Sequence, residues 1–129
     1  MSIFSKIVSG DILSYKIYED SNHLAFLDIF PISKGHVLVI PKKEIDYVFD
    51  MNDREYSQLL LFAKKISLAI KKVINCKRVS LNIVGFDVPH VHIHLIPLNS
   101  ISDLNFEKQK LTFSEEEFKE IAASIREAI

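Results

Sequence analysis

His90-Val91-His92-Ile93-His94-Leu95-Ile96 is the stretch from which the rest of the chain is read. Three histidines stand at every second position, and the residues between them are apolar. Period-two alternation marks a half-buried strand, because successive side chains leave a strand on opposite faces. Val91, Ile93 and Leu95 are therefore expected in the core, with His90, His92 and His94 in a row on the other face. Neighbouring imidazoles would stand about 6.6 Å apart and the outer pair about 13 Å. Zinc–nitrogen bonds are only about 2 Å long, so two neighbours can share an ion but the three cannot ligate one. The row suits an elongated anion instead. One imidazole can attack it while its neighbours supply hydrogen bonds or protons near neutral pH. A lone histidine on a strand is usually solvated or satisfied; three in strict alternation with aliphatics ask for a function.

Composition sets the frame. The 129 residues fit one domain, 1–129, with a core over 3–97 and a loop and helix over 98–129. The net charge of −1 draws the chain neither to nucleic acid nor to an anionic membrane. One cysteine, Cys76, allows no internal disulfide and fits a reducing cytosol; a small buried residue near a helix end is its expected role. The N-terminus shows no signal-peptide pattern, and no run approaches the roughly 20 apolar residues of a membrane span. A cytoplasmic location is expected.

Working outward, Ile3, Phe4, Ile7 and Val8 have helical spacing ended by Gly10, which predicts a short helix. Tyr15–Tyr18 and His23–Asp28 read as a hairpin around the polar turn 19–22, with His23 solvated. Asp28, at the inner end of an apolar strand, is a turn cap or a ligand group. Gly35 suggests a special backbone conformation or a close approach, and it sets His36 at the start of the apolar strand 37–40, stopped by Pro41. Asn52 and Glu55 form a capping box, with Met51 and Tyr56 as its staple, for a helix running to about residue 75. Leu61, Phe62 and Leu68 widen its apolar surface toward a partner helix or second subunit, while Lys64, Lys65, Lys71 and Lys72 form a solvated face. Residues 78–84 alternate as a strand, 85–89 connect it to the histidine strand, and Pro97 ends that strand. A polar loop over 98–112 leads to a second capping box, Ser114 to Glu117, with Phe113 and Phe118 as staple, and a terminal amphipathic helix. The sum is an α+β domain with a mostly antiparallel five-stranded sheet and two main helices.

These residues resemble the histidine-triad (HIT) family, in particular its Hint-like branch and bacterial members. The resemblance rests on His90–Ile96, on Ile3-Phe4-Ser5-Lys6-Ile7 with Gly10-Asp11-Ile12, on Leu24–Ile29 with Pro31, and on Gly35–Lys43. It implies a HIT-like fold whose sheet continues across a homodimer. It also implies a nucleotide hydrolase that attacks the α-phosphate of purine nucleoside phosphoramidates or related AMP conjugates, with no cofactor. By the resemblance, His92 is the nucleophile that forms a covalent nucleotidyl-imidazole, and His94 contacts the phosphate and helps protonate the leaving group. His90 and His36 are supporting histidines, and Asp28 holds the ribose hydroxyls. Phe4, Ile7, Phe26, Ile29 and Leu38 surround the base, and Asn82 is a phosphate-side asparagine.

Two departures accompany the resemblance. Many members carry a Cys-x-x-Cys pair that helps bind zinc; here Ser2 and Ser5 stand there, and hydroxyls do not replace thiolates, so no structural zinc is expected. Hint-like proteins often have Gly-Gln-Ser before the triad, its serine donating to phosphate or leaving group. This chain has Gly85-Phe86-Asp87, and an ionised Asp87 has no proton to donate and repels phosphate, unless it faces a histidine instead. Competing readings are a dinucleoside polyphosphate hydrolase, a transferase through the same His92 intermediate, a non-catalytic nucleotide-binding or sensing protein, and a metal protein using two adjacent triad histidines.

Overall fold

Every residue of Val37–Pro41 is buried, which requires cover on both faces of that strand. A computed structural model describes all residues from Met1 to Ile129. In chain order it contains α1 (Ile3–Ser9), β1 (Lys16–Glu19), β2 (His23–Leu27), β3 (Val37–Pro41), α2 (Asp53–Val73), β4 (Arg78–Asn82), β5 (Ile93–Leu98) and α3 (Glu115–Glu127). The strands form one five-stranded sheet in the order β1-β2-β3-β5-β4, and every pairing is antiparallel. The expected α+β architecture is found.

Period two divides the sheet between two layers. Ala25, Leu27, Val37, Val39, Val91, Ile93 and Leu95 face α2 and α3 in a core of 20 buried residues. Leu24, Phe26, Leu38 and Ile40 point the other way and meet Phe4 and Ile7 of α1 in a cluster of six. Each such side chain contributes roughly 1.5–3 kcal/mol when fully buried. The larger layer therefore carries most of the folding drive, and the smaller one is free to form a binding wall. α3, which lies beyond residue 97, supplies Phe118, Ile121, Ala122 and Ile125 to the main core.

Several local expectations are corrected. The regular strand begins at Ile93, not His90, because the β3 ladder ends at Val39↔Ile93 and the β4 ladder at Asn82↔His94. Upstream, Val91 N–H bonds Ile45 O at 2.7 Å, outside any ladder, while the in–out alternation persists. Pro97 lies inside β5 instead of ending it: it pairs with Val79 of β4, and the β3 ladder has already ended at Val37↔Leu95, so no partner misses its N–H. His23 is buried, not solvated; its Nδ1 lies 3.0 Å from Asp20 Oδ1, and its ring rests 5.0 Å from that of Phe62. Phe62 therefore belongs to the core, while Leu61 and Leu68 stay exposed. The Asn52 box is half-formed. Glu55 N–H donates to Asn52 Oδ1 at 2.8 Å, but the Glu55 carboxylate takes the Asn52 side-chain amide at 2.6 Å, a donor a serine cap lacks. Ser114 and Glu117 close the α3 box in both directions.

Gly35 meets both expectations placed on it. Its φ is +88°, and an added Cβ would lie 2.8 Å from Ile74 Cγ1 and 3.3 Å from Pro97 Cγ. Gly10 has a similar φ of +87° but open space around it. Gly35→Ala is expected to cost about 2–4 kcal/mol in urea denaturation and Gly10→Ala about 1–2 kcal/mol, the excess being the clash. Equal costs would show that Ile74 moves aside freely.

Candidate active site

The three triad imidazoles and His36 are all buried, and their partners fix where each proton sits. The backbone N–H of Ile32 donates to His36 Nδ1 at 3.0 Å, so the His36 proton is on Nε2. That nitrogen donates to His94 Nδ1 at 2.9 Å, which leaves the His94 proton on Nε2. His90 gives its Nε2 proton to Pro41 O at 2.8 Å and accepts the Ser2 hydroxyl at Nδ1, 2.7 Å away. His92 gives its Nδ1 proton to His90 O at 2.7 Å, so Nε2 is the nitrogen turned toward the cleft. Asp87 Oδ1 stands 3.1 Å from that nitrogen.

Burial sets the electrostatics. It pushes His36 down to about 3, with the Lys110 ammonium adding to the effect. It pushes His94 down to about 4, reinforced by His36 and His92. His90 is lowered by burial too, against the Pro41 carbonyl. The Asp28 carboxyl is pushed up by burial, with the Phe30 N–H and His94 pulling it back. Asp28 Oδ2 lies 3.5 Å from His36 Nε2, but a neutral His36 that already donates to His94 makes no ion pair with it. Donor atoms of Asp28, His36 and His94 lie within 4.8 Å of one another. The 2.9 Å between the two imidazoles is nevertheless a hydrogen bond, and two nitrogens each about 2 Å from one tetrahedral zinc would sit further apart, about 3.3 Å.

A cleft of about 240 Å³ opens in front of His92 and His94. Phe4 and Ile7 of α1, Phe26 of β2, Leu38 of β3 and Ile29 form its apolar walls, and Asp28 and Asp87 stand at its triad end. Asp28 serves both roles open to it: Oδ1 caps the turn by accepting Phe30 N–H at 2.8 Å, and the residue lines the cleft. His36, His90 and Asn82 are not in the lining. Asn82 pairs with His94 across the ladder, and its amide donates to Ser80 Oγ at 2.9 Å. Larger hollows, of about 320 and 660 Å³, lie beside α2 and α3 and contain no triad residue.

The sequence reading missed several parts. Ile3, Ile12, Leu13, Ser14, Phe30 and Val88 also line the cleft. Phe106, from the loop that the sequence left unplaced, sets its ring edge-on to His94 with centroids 5.1 Å apart. Glu44 draws the start of α1 inward by accepting from Ser2 N–H and, at 2.7 Å, from the Ser5 hydroxyl. These bonds hold the Glu44 carboxyl down at about 2. Ser2 also caps α1 by accepting Ser5 N–H at 3.0 Å, so one hydroxyl joins the helix to His90. An aromatic in a polar loop is the only signal that could have marked Phe106; nothing local marks Glu44.

Known proteins share the fold and much of the sequence. A family model described as HIT domain matches residues 9–101. An uncharacterized HIT-like protein of Borreliella burgdorferi is 38% identical over 131 residues, 95% of this chain and 94% of its own. The adenosine 5′-monophosphoramidase hnt1 of Schizosaccharomyces pombe is 43% identical over 96 residues, 74% of this chain and 72% of its own. A crystal structure of a HIT-like protein involved in cell-cycle regulation from Bartonella henselae superposes with a TM-score of 0.85 at 30% identity, covering 99% of this chain and 96% of that one.

The neutral imidazoles give a stability signature. When folded, His36 and His94 stay uncharged down to about 3 and about 4, whereas in the unfolded chain they take a proton near 6.5. Between those values the unfolded state binds more protons, so stability rises with pH there and is lost on acidification. Each histidine is expected to contribute a slope of up to about 1.4 kcal/mol per pH unit in that window. Asp28 acts with the opposite sign, so the measurement is a comparison: denaturation of His36→Asn from pH 7 to 4.5 should show a shallower acid slope than wild type. An unchanged slope would assign the acid lability to other groups.

Proposed function

The chain belongs to the histidine-triad (HIT) family, and from that premise we propose that it is a nucleotide hydrolase acting on purine nucleoside phosphoramidates or related AMP conjugates. One observation carries the reading: the His92 Nδ1 proton is fixed on a backbone carbonyl, which turns Nε2 toward the cleft. A neutral imidazole so oriented can attack phosphorus, and the step needs positioning and charge stabilisation more than a strong base. The names of the Schizosaccharomyces and Saccharomyces relatives, both adenosine 5′-monophosphoramidases, support this substrate class.

In the proposed reaction the base lies between Phe4, Ile7, Phe26, Ile29 and Leu38, and the ribose hydroxyls bond Asp28. His92 Nε2 forms a bond to the α-phosphorus as the leaving group departs. The His94 Nε2 proton faces the phosphoryl oxygens, with His36 behind it fixing that tautomer. Water then hydrolyses the nucleotidyl-His92. The His90 carbonyl orients the His92 ring and the His90 imidazole holds α1 through Ser2, and Asn82, beside His94 on the neighbouring strand, is the phosphate-side asparagine. Dinucleoside polyphosphates fit the same walls and are the nearest alternative substrates. A non-catalytic nucleotide-binding role is the second reading, favoured by the Asp87 contact on His92.

The proposal includes a homodimer. β4 is an edge strand with an unpaired outer side, and Leu61 and Leu68, 66% and 57% exposed, stand a helical repeat apart on α2. No helix is long and apolar enough to cross a membrane, and a cytosolic reaction is part of the same proposal.

Two experiments test these statements. Protein quenched during turnover of adenosine phosphoramidate should carry an added AMP on the peptide containing His92, and His92→Ala should carry none and release AMP no faster than buffer. Equal AMP release by the two proteins would overturn the mechanism. Light scattering should give twice the chain mass for wild type and a shift toward the single-chain mass for Leu61→Lys/Leu68→Lys. A single-chain mass for wild type would remove the dimer.

A further inference from the structure

Asp87 and His92 cannot meet as a bare carboxylate and a neutral imidazole. His92 already donates from Nδ1 to His90 O at 2.7 Å, so the Nε2 of a neutral ring carries only a lone pair. Asp87 Oδ1 nevertheless lies 3.1 Å from Nε2, a hydrogen-bond distance between two acceptors. One proton must sit between them. While it rests on Nε2, the ring has no lone pair with which to attack.

The surroundings indicate where that proton can go. Phe4 faces His92 from α1, Asp28 from the end of β2 and His94 from β5, with His36 behind His94 and Lys110 behind His36. The hydroxyls of Ser2 and Ser5 are committed to His90 and Glu44. Asp28 is tied to the Phe30 N–H. The Asp87 side chain is 70% exposed, and its Oδ1 also accepts the backbone N–H of Val88, the next residue, at 3.1 Å. Its loop begins at Gly85, with φ +82° and no heavy atom within 4 Å of a built Cβ, and passes through Phe86, 95% exposed. Beyond the N–H of its own chain neighbour and His92, this carboxyl has no hydrogen-bond partner, so a turn of its side chain takes it off Nε2 and leaves it at the mouth of the cleft.

Resting on the hydrolase reading, we propose that Asp87 is a catalytic acid and base that carries the bridging proton to the leaving group. An arriving α-phosphate repels a carboxylate but not a carboxylic acid, so Asp87 withdraws with the proton and frees the Nε2 lone pair. That lone pair forms the N–P bond. The bond from phosphorus to the leaving nitrogen or oxygen breaks, its electron pair stays on the leaving atom, and that atom takes the Asp87 proton. In the second half a water oxygen bonds to phosphorus as the P–Nε2 bond breaks. Asp87 takes the water proton and the bridge to His92 is restored. Water is the only co-reactant.

The test uses two AMP conjugates that differ only in their need for a proton: an alkylamine phosphoramidate and the p-nitrophenyl ester. Asp87→Asn is expected to lower kcat/KM for the phosphoramidate about 100-fold or more and for the ester less than about threefold. Asp87→Glu should recover part of the phosphoramidate rate, and neither change should move the melting temperature, since the side chain is exposed. Equal losses on both conjugates would make Asp87 structural and overturn the proposal. Unchanged or raised rates on both would make it a plug on His92, which also overturns it. If wild type cleaves neither conjugate, the hydrolase reading itself falls, an outcome distinct from those two.

Discussion

The proton that His36 Nε2 gives to His94 Nδ1 ties β3 to β5 on the face where the cleft opens, and most of the site follows from it. The bond depends on register: Leu38 pairs with His94, so His36, two residues before Leu38 and just ahead of β3, falls on the same face and reaches His94 diagonally. Because both imidazoles are dry, neither takes a second proton near neutral pH. Donors and acceptors are thereby locked in one order, from the Ile32 N–H through His36 to His94. An unsatisfied buried group in such a row costs about 1–3 kcal/mol, so the row forms whole or not at all.

The two layers of the sheet divide the work. The α2 and α3 side is packed like an interior and fixes the strands. The α1 side is thin, held by six apolar residues and by the Ser2, Ser5 and Glu44 bonds. This asymmetry lets one sheet be rigid behind the imidazoles and open in front of them. Asp87 is the exception to the dryness of the site. It is an exposed carboxyl touching a buried ring, and that contrast sets it apart from the rest of the site.

Much of this was readable from residue order. Alternation through His90–Leu95 gave the correct faces even where no ladder forms, because side-chain period depends on local extension and not on pairing. The α3 cap and the glycine at position 35 were legible for a similar reason: both are set by geometry within a few residues. The misses share a cause as well. His23 looked solvated because its turn is polar, but Phe62, 39 positions away, covers it. Pro97 looked like a stop because sequence does not show where the neighbouring β3 ladder ends. Phe106 and Glu44 reach the site through contacts far from their own neighbours in the chain. The role of Asp87 depended on a 3.1 Å distance that no spacing rule supplies.

The join between Ser2 and His90 spans 88 positions of chain. Such a contact closes a loop of about two-thirds of the chain, and the entropy of that closure must be met before the contact returns any stability. The α3 side closes loops longer still, with Tyr15 stacked on Phe118 at 4.9 Å, while α1 rests its apolar face on Leu24, Phe26, Leu38 and Ile40, much nearer in the chain. The Ser2–His90 bond is thus a seam laid over a wall that nearer apolar contacts already hold. Its effect is on aim more than on assembly: it fixes the pitch of α1 against the histidine row, and with it the width of the cleft.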